Sequence, residues 1–334
     1  MKIKLSNLIQ LTISLVLAGG LVYWFIHQMT PEQKQGTIDS FKRANYLWLL
    51  LTLLLGLLSS AFRAQRWRLM FRPIGYNPGY LNTFFSVNVM FFANLFIPRL
   101  GEVSRCSILA KYEDVPVEQS IGTMVAERFI DLICMMGLLG LLLLMERELI
   151  ASLLESTFSN PSKTSMHWSL KYGIPVAILL GLVIISYISY RKYGYLHLKN
   201  SIIKRIKGLF GGVISILKMK DLGQFIVLSL GIWISYILMT YIAFQSLPET
   251  SSLGLLPATA CLIFGGFAMV ATPGGIGTYP IAVMGVLTLY GINEVIGGAF
   301  GTLAWGAQTV GVFIAGVTSL LLLALMNPKK KSGN

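Results

Sequence analysis

Three stretches of this 334-residue sequence bring together residue types that do chemistry. The first is Pro98-Arg99-Leu100-Gly101-Glu102, followed by Arg105, where a proline and a glycine loosen the backbone and charges enter an otherwise apolar neighbourhood. In the second, Glu127, Arg128 and Asp131 lie in the first third of an apolar run from Gln119 to Met145. Ionisable groups there cost at least about 2.5 kcal/mol each on insertion scales, so they are expected to face a polar interior and to have partners. Glu127 and Asp131, four apart, share one helix face, and their like charges call for a cation between them. Arg99 or Arg105 is the expected cation, and Arg128, rotated by about 100° on the helix, is expected to reach Glu102. The plainer alternatives are a cytoplasmic loop for the first stretch and a salt-bridge network that only fixes helix packing for the second.

The third stretch is Pro273-Gly274-Gly275-Ile276-Gly277, flanked by Thr272 and Thr278. A glycine-rich break of this kind frees backbone N–H groups and can aim helix ends at an anion. It is not a nucleotide loop, because no Lys-Ser/Thr follows and no strand precedes it. A flexible kink or a close helix contact is the plainer reading.

The elements that must position these residues are apolar helices. Continuous apolar runs of spanning length cover Leu5 to His27, Tyr46 to Phe62, Gln119 to Met145, Tyr172 to Tyr190, Gly223 to Ser246 and Val295 to Met326. The run Leu5 to His27 is read as a retained first helix and not as a cleaved signal. Residues 80–101 and 253–290 are also apolar but are broken by Pro98 and by Pro273 to Gly277, which makes them candidate re-entrant hairpins. Residues 196–220 alternate apolar and basic positions as an amphipathic helix does, and are expected at the cytoplasmic interface against anionic headgroups. The expected architecture is all-α and polytopic, with about six full spans and two hairpins in an inverted-repeat arrangement, forming a single transmembrane domain over 1–334. Broken segments in corresponding positions of two halves are the pointer to a transporter with its site near the midplane.

Composition agrees with this: 54% of residues are hydrophobic and 12% charged, with mean hydropathy +0.68. The formal charge of +13 comes from basic residues beside apolar runs, which argues for membrane orientation and against a nucleic-acid partner. Arg63, Arg66, Arg68 and Arg72 are read as a basic loop after the second span, the cluster from Arg191 to Lys220 as a second, and Lys329 to Lys331 as a third. All three are expected on the cytoplasmic side, which puts both termini there. Gln28 to Asn45, Glu146 to Lys171 and Leu247 to Ser252 are read as outward loops. Cys106, Cys134 and Cys261 have no metal-ligand spacing, and His27, His167 and His197 lie far apart. No catalytic residue, metal or cofactor is assigned.

The ordered combination of Pro98-Arg99-Leu100-Gly101-Glu102 with Arg105, Glu127-Arg128 with Asp131, and Pro273 to Gly277 resembles the lysylphosphatidylglycerol synthase transmembrane (flippase-like) family. The resemblance covers nearly the whole chain. It implies a multi-pass inner-membrane protein that moves a polar or charged lipid between leaflets. Some members carry a cytosolic aminoacyl-transferase domain; the residues up to Asn334 leave no room for one, so synthase activity is not expected. The family's glycine motif often continues to a glutamate, where this sequence has Pro280, so any carboxylate role falls to Glu102, Glu127 and Asp131.

The expected function is therefore translocation of an anionic or zwitterionic lipid, a phospholipid or a polyprenyl-phosphate carrier. Arg99, Arg105 and Arg128 would attract its phosphate, and Pro98, Gly101, Pro273, Gly274, Gly275 and Gly277 would shape the site. A membrane-embedded lipid-headgroup enzyme and a scaffold for a cell-envelope assembly enzyme are the alternatives from other classes.

Overall fold

One order of elements occurs twice along the chain: a long helix, a hairpin of two short helices, and a second long helix. In the computed structural model, residues 31–97, 99–147 and 219–327 are described, and every regular element among them is helical. Pro98, the runs Leu5 to His27 and Tyr172 to Tyr190, Lys329 to Lys331 and nearly all of 196–220 lie outside the described residues. Cα proximity divides the chain into a unit of 1–142 with 216–334 and a unit of 143–215; apart from the last residues of one helix, the described helices belong to the first.

A short helix α1 (Pro31–Arg43) precedes the first set. That set is α2 (Tyr46–Phe71), the hairpin α3 (Tyr80–Phe96) and α4 (Leu100–Tyr112), and α5 (Val117–Met145). The second is α6 (Leu222–Phe244), the hairpin α7 (Leu255–Ala271) and α8 (Thr278–Leu289), and α9 (Glu294–Met326). The long helices, of 26, 29, 23 and 33 residues, are apolar and long enough to cross a membrane. At about 1.5 Å per residue they measure roughly 35–50 Å, against a hydrocarbon core of about 30 Å. The longer hairpin arms have 17 residues, roughly 25 Å, and fall short of it. Large apolar side chains stay exposed along the long helices, Leu144 at 76% and Leu325 at 75% among them, as lipid-facing positions require.

Two sequence readings are corrected. The second span does not stop at Phe62: α2 continues for nine more residues, carrying Arg63, Arg66 and Arg68 inside the helix. Arg63 and Arg66 are buried, so they are not part of a basic loop. The physical reason is the apolar continuation Trp67, Leu69, Met70 and Phe71, all buried, which keeps that turn of helix attached to the core. The supposed outward loop Gln28 to Asn45 contains α1, with Pro31 at its first position, where a missing N–H costs nothing.

The ends of the helices fix their directions. Asn45 caps α2 by accepting from Leu47 N at 3.1 Å, and its own N–H donates to Ser246 O beyond the end of α6 at 2.8 Å. Past the other end of α2, Arg72 pairs with Asp221 before α6 at 2.8 Å. Thus α2 and α6, the corresponding first helices of the two sets, run antiparallel over their whole length. The hairpin α3–α4 opens at the Arg72 end of the bundle. There the Glu113 carboxylate accepts from Gly79 N at 2.7 Å and from Asn82 Nδ2 at 2.5 Å. Asn82 also exchanges amide hydrogen bonds of 2.9 and 3.2 Å with Asn327, just past α9. The hairpin α7–α8 opens at the opposite end, where α6 finishes and α9 begins. The two sets are therefore inverted relative to one another, and the hairpins enter from opposite ends.

Candidate functional site

The two hairpin tips touch one another. In the first, Arg99 takes a left-handed conformation (φ 66°) as the cap of α4, and Gly101 N donates to Asn94 Oδ1 at 2.8 Å. A Cβ at Gly101 would lie 2.0 Å from Met90 O, so only glycine lets α4 approach α3 this closely. In the second, Pro273–Gly275 forms a 3₁₀ turn with Gly274 at φ 59° and Gly275 at φ 72°. Thr278 Oγ1 donates to Ala268 O at 2.8 Å across its mouth, and Trp305 of α9 donates to Gly274 O at 2.7 Å. A Cβ on Gly274 would stand 3.3 Å from Leu95 of α3, which is the contact between the tips.

A charged cluster lies one step along α3 from that contact. Arg63 and Arg66 are three apart on α2, and Glu127 and Asp131 four apart on α5, so each pair shares a helix face. Arg63 Nη1 donates to Glu127 Oε1 at 2.6 Å and to Asp131 Oδ2 at 2.9 Å. Arg66 Nη2 donates to Glu127 Oε1 at 3.1 Å and to Asp131 Oδ1 at 2.7 Å. From α4, Arg105 Nη2 lies 2.7 Å from Glu127 Oε2, with its guanidinium 4.2 Å above the Trp67 ring. Tyr236 and Ser229 of α6 accept from Arg63 and Arg66 at 3.2 and 3.3 Å. Glu127, Arg66 and Arg105 are fully buried. Asp131 is the middle residue of the 29-residue α5, so the cluster sits half-way along a spanning helix.

Measured against the sequence, the expected cation between Glu127 and Asp131 is neither Arg99 nor Arg105. Arg63 and Arg66 hold that place, because α2 runs directly opposite α5; Arg105 joins from the side, and Arg99 is exposed at the hairpin tip. Nor does Arg128 pair with Glu102. It donates to Met90 Sδ at 3.6 Å and lies 3.9 Å from Asp131, while Glu102 Oε2 is buried without a hydrogen-bond partner among the described residues. Gly101 and Met90 tie the first hairpin to this cluster. Pro273, Gly274, Gly275 and Gly277 belong to the second tip. Met90 and Leu95 are five residues apart on α3, roughly 7.5 Å, so cluster and tips are neighbours. Cys106, Cys134 and Cys261 are all free thiols.

Compared with known proteins, residues 10–316 match the family model of the lysylphosphatidylglycerol synthase TM region. The chain belongs to that family. Two UPF0104 membrane proteins of Methanocaldococcus jannaschii are also similar. MJ1595 is 30% identical over 87 residues, which are 25% of this chain and 26% of that protein. MJ1078 is 27% identical over 216 residues, 64% of this chain and 85% of that protein. The chain thus aligns with about a quarter of the length of the first and most of the second. No solved structure matches.

In this member of the lysylphosphatidylglycerol synthase TM family, the residues that sequence reasoning missed are Arg63 and Arg66. Their signal was present: a three-residue spacing of arginines, continued by Trp67, Leu69 and Met70, is a helix face and not a loop. The carboxylates four apart at Glu127 and Asp131 are its complement.

Proposed function

We propose that the protein moves a polar lipid, a phospholipid or a polyprenyl-phosphate carrier, between the leaflets of the cytoplasmic membrane without changing it chemically. The observation that carries this reading is the buried guanidinium cluster half-way along α5, beside two hairpin tips that enter from opposite ends. Charge at that depth needs a protein-lined polar environment, and such a site at the junction of inverted repeats suits alternating access. Membership of a family described by a lipid-synthase membrane region supports lipid as the cargo. The quartet Arg63, Arg66, Glu127 and Asp131 holds the helices together, and Arg105, Arg128 and Glu102 face the headgroup. The Arg72 end of the bundle, with Lys329 to Lys331 following α9, is assigned to the cytoplasm, together with both termini.

Leaflet-resolved transport of fluorescent lipids by purified protein in liposomes tests the reading. Movement of unaltered lipid is expected. A chemically altered lipid would favour the enzyme, and neither movement nor alteration would favour the scaffold. Gly275→Leu should stop transport, since a Cβ there would already lie 2.9 Å from Met269 Cγ at a φ of +72°. Cysteines introduced at Leu100 and Ile276 in a cysteine-free background should cross-link in at least one transport state. Labelling from the cytoplasmic side should reach position 330 and not position 161.

A further inference from the structure

The charges of the cluster do not cancel. Guanidinium groups stay protonated in proteins, so Arg63, Arg66, Arg105 and Arg128 bring four positive charges. Counted as carboxylates, Glu127, Asp131 and Glu102 set three negative charges against them, +4 − 3 = +1 among the described residues. Few other carboxylates are on hand: of the fourteen Asp and Glu residues, only Glu32, Glu148 and Glu155 have side chains outside the described set.

The imbalance has a location. Arg63 and Arg66 interlock with Glu127 and Asp131 at 2.6–3.1 Å, two charges against two. Arg105 is left with a carboxylate that already serves two other arginines. Its Nε and Nη1 are both buried with no hydrogen-bond partner among the described residues, whereas in each of Arg63, Arg66 and Arg128 only Nε is so placed. The Trp67 ring supports one face of the Arg105 guanidinium and leaves donor edges unused. A buried guanidinium with spare N–H groups is costly unless an acceptor meets it, and its planar fork matches two oxygens of one phosphate. The cluster opens outward along α5, where the Arg128 side chain is 40% exposed and that of Asp131 13%.

We infer that Arg105 and Arg128 bind the phosphodiester of a lipid whose headgroup carries one negative charge and no ammonium. This inference rests on the reading of the chain as a lipid transporter and names the class of its cargo. A phosphodiester with an uncharged polyol headgroup brings the sum to zero, and a hydroxyl of the polyol donates to the unpartnered Glu102 Oε2. A zwitterionic phospholipid also offers Glu102 a donor, but adds no net charge and leaves the site at +1. A phosphomonoester, at about −1.5 to −2, overshoots.

The test has a binding arm and a transport arm. Thermal unfolding of the full-length protein in detergent is followed while dioctanoyl-phosphatidylglycerol, dioctanoyl-phosphatidylcholine or inorganic phosphate is titrated in. Phosphatidylglycerol is expected to raise Tm at a concentration lower by about tenfold or more than phosphatidylcholine requires, the effect of one charged hydrogen bond. Inorganic phosphate is expected to do nothing in that range. Arg128→Gln, at a half-exposed position, should fold and lose the preference; Arg105→Lys keeps the charge, loses the fork, and should weaken the response to phosphatidylglycerol by a similar factor. Equal responses to the two lipids, an equal response to phosphate, or an unchanged preference in both variants would overturn the inference. The transport arm separates it from the reading beneath it: in liposomes, equal flux of both lipids sinks the selectivity and keeps the transporter. Selective binding with no flux of either lipid keeps the anion site and sinks the transporter.

Discussion

The hairpin α3–α4 is bracketed by helices that carry Arg63, Arg66, Glu127, Arg128 and Asp131, and it contributes Glu102 and Arg105 itself. The corresponding hairpin α7–α8 contains no charged residue, and helices α6 to α9 together hold one, Glu294 at the start of α9. The same order of elements is therefore held together in two ways. Displacing the first hairpin pulls Arg105 off a fully buried carboxylate in a medium of low dielectric, which is expensive. Displacing the second breaks the Trp305 bond to Gly274 and separates glycine-lined surfaces such as Gly301 against Pro280. Such surfaces hold through short-range packing, which can re-form after a shift in register. On the transport reading proposed above, the contrast suits anchoring by the first hairpin and displacement of the second.

Glu127→Ala is the severest attack on this contrast. It leaves three arginines around an absent carboxylate and should destabilise by about 3–5 kcal/mol, read as a loss of monodisperse protein and a large fall in Tm; wild-type stability would mean that the ion pairs anchor nothing. Next comes Gly101→Ala, which forces a methyl group against Met90 O and should cost about 1–3 kcal/mol by overpacking. Its effect on Tm should exceed that of Gly274→Ala, which strains a backbone at φ 59° but meets as its nearest atom only the flexible end of Leu95 at 3.3 Å; the reverse order would exchange the roles of the hairpins. Trp305→Phe removes one hydrogen bond at the second tip, worth about 1 kcal/mol, and, on the proposed transport reading, should accelerate lipid movement more than it lowers Tm. Leu144→Ala, on a side chain 76% exposed, should change stability by less than about 0.5 kcal/mol.

Much of this architecture was legible because proline and glycine punctuate apolar runs. The break before Arg99 and the turn at Pro273 to Gly277 could be read from residue type alone, and so could the need for partners at Glu127 and Asp131. Which partners they take could not. A count of basic residues after a span treats Arg63, Arg66, Arg68 and Arg72 alike, yet the first two are buried, and Arg68 donates to Pro78 O at 2.7 Å near the end of the bundle. The distinction depends on which helix stands opposite, a long-range fact that local periodicity does not contain. Arg128 illustrates the same point: rotation around α5 correctly separates it from Glu127, but the neighbour it meets is the Met90 sulfur.

The amide pair between Asn82 and Asn327 joins residues 245 apart in sequence, whereas Arg63 and Glu127 are 64 apart. At a synthesis rate of about 5–20 residues per second, the carboxylate that neutralises α2 follows it by roughly 3–13 seconds, and the amide that latches α3 by roughly 12–50 seconds. During that interval Arg63 and Arg66 already face Glu127 and Asp131, while the outer end of the first hairpin still lacks the amide that follows α9. A chain cut short before Asn327 would therefore retain the ion pairs of its first half and lose this closure.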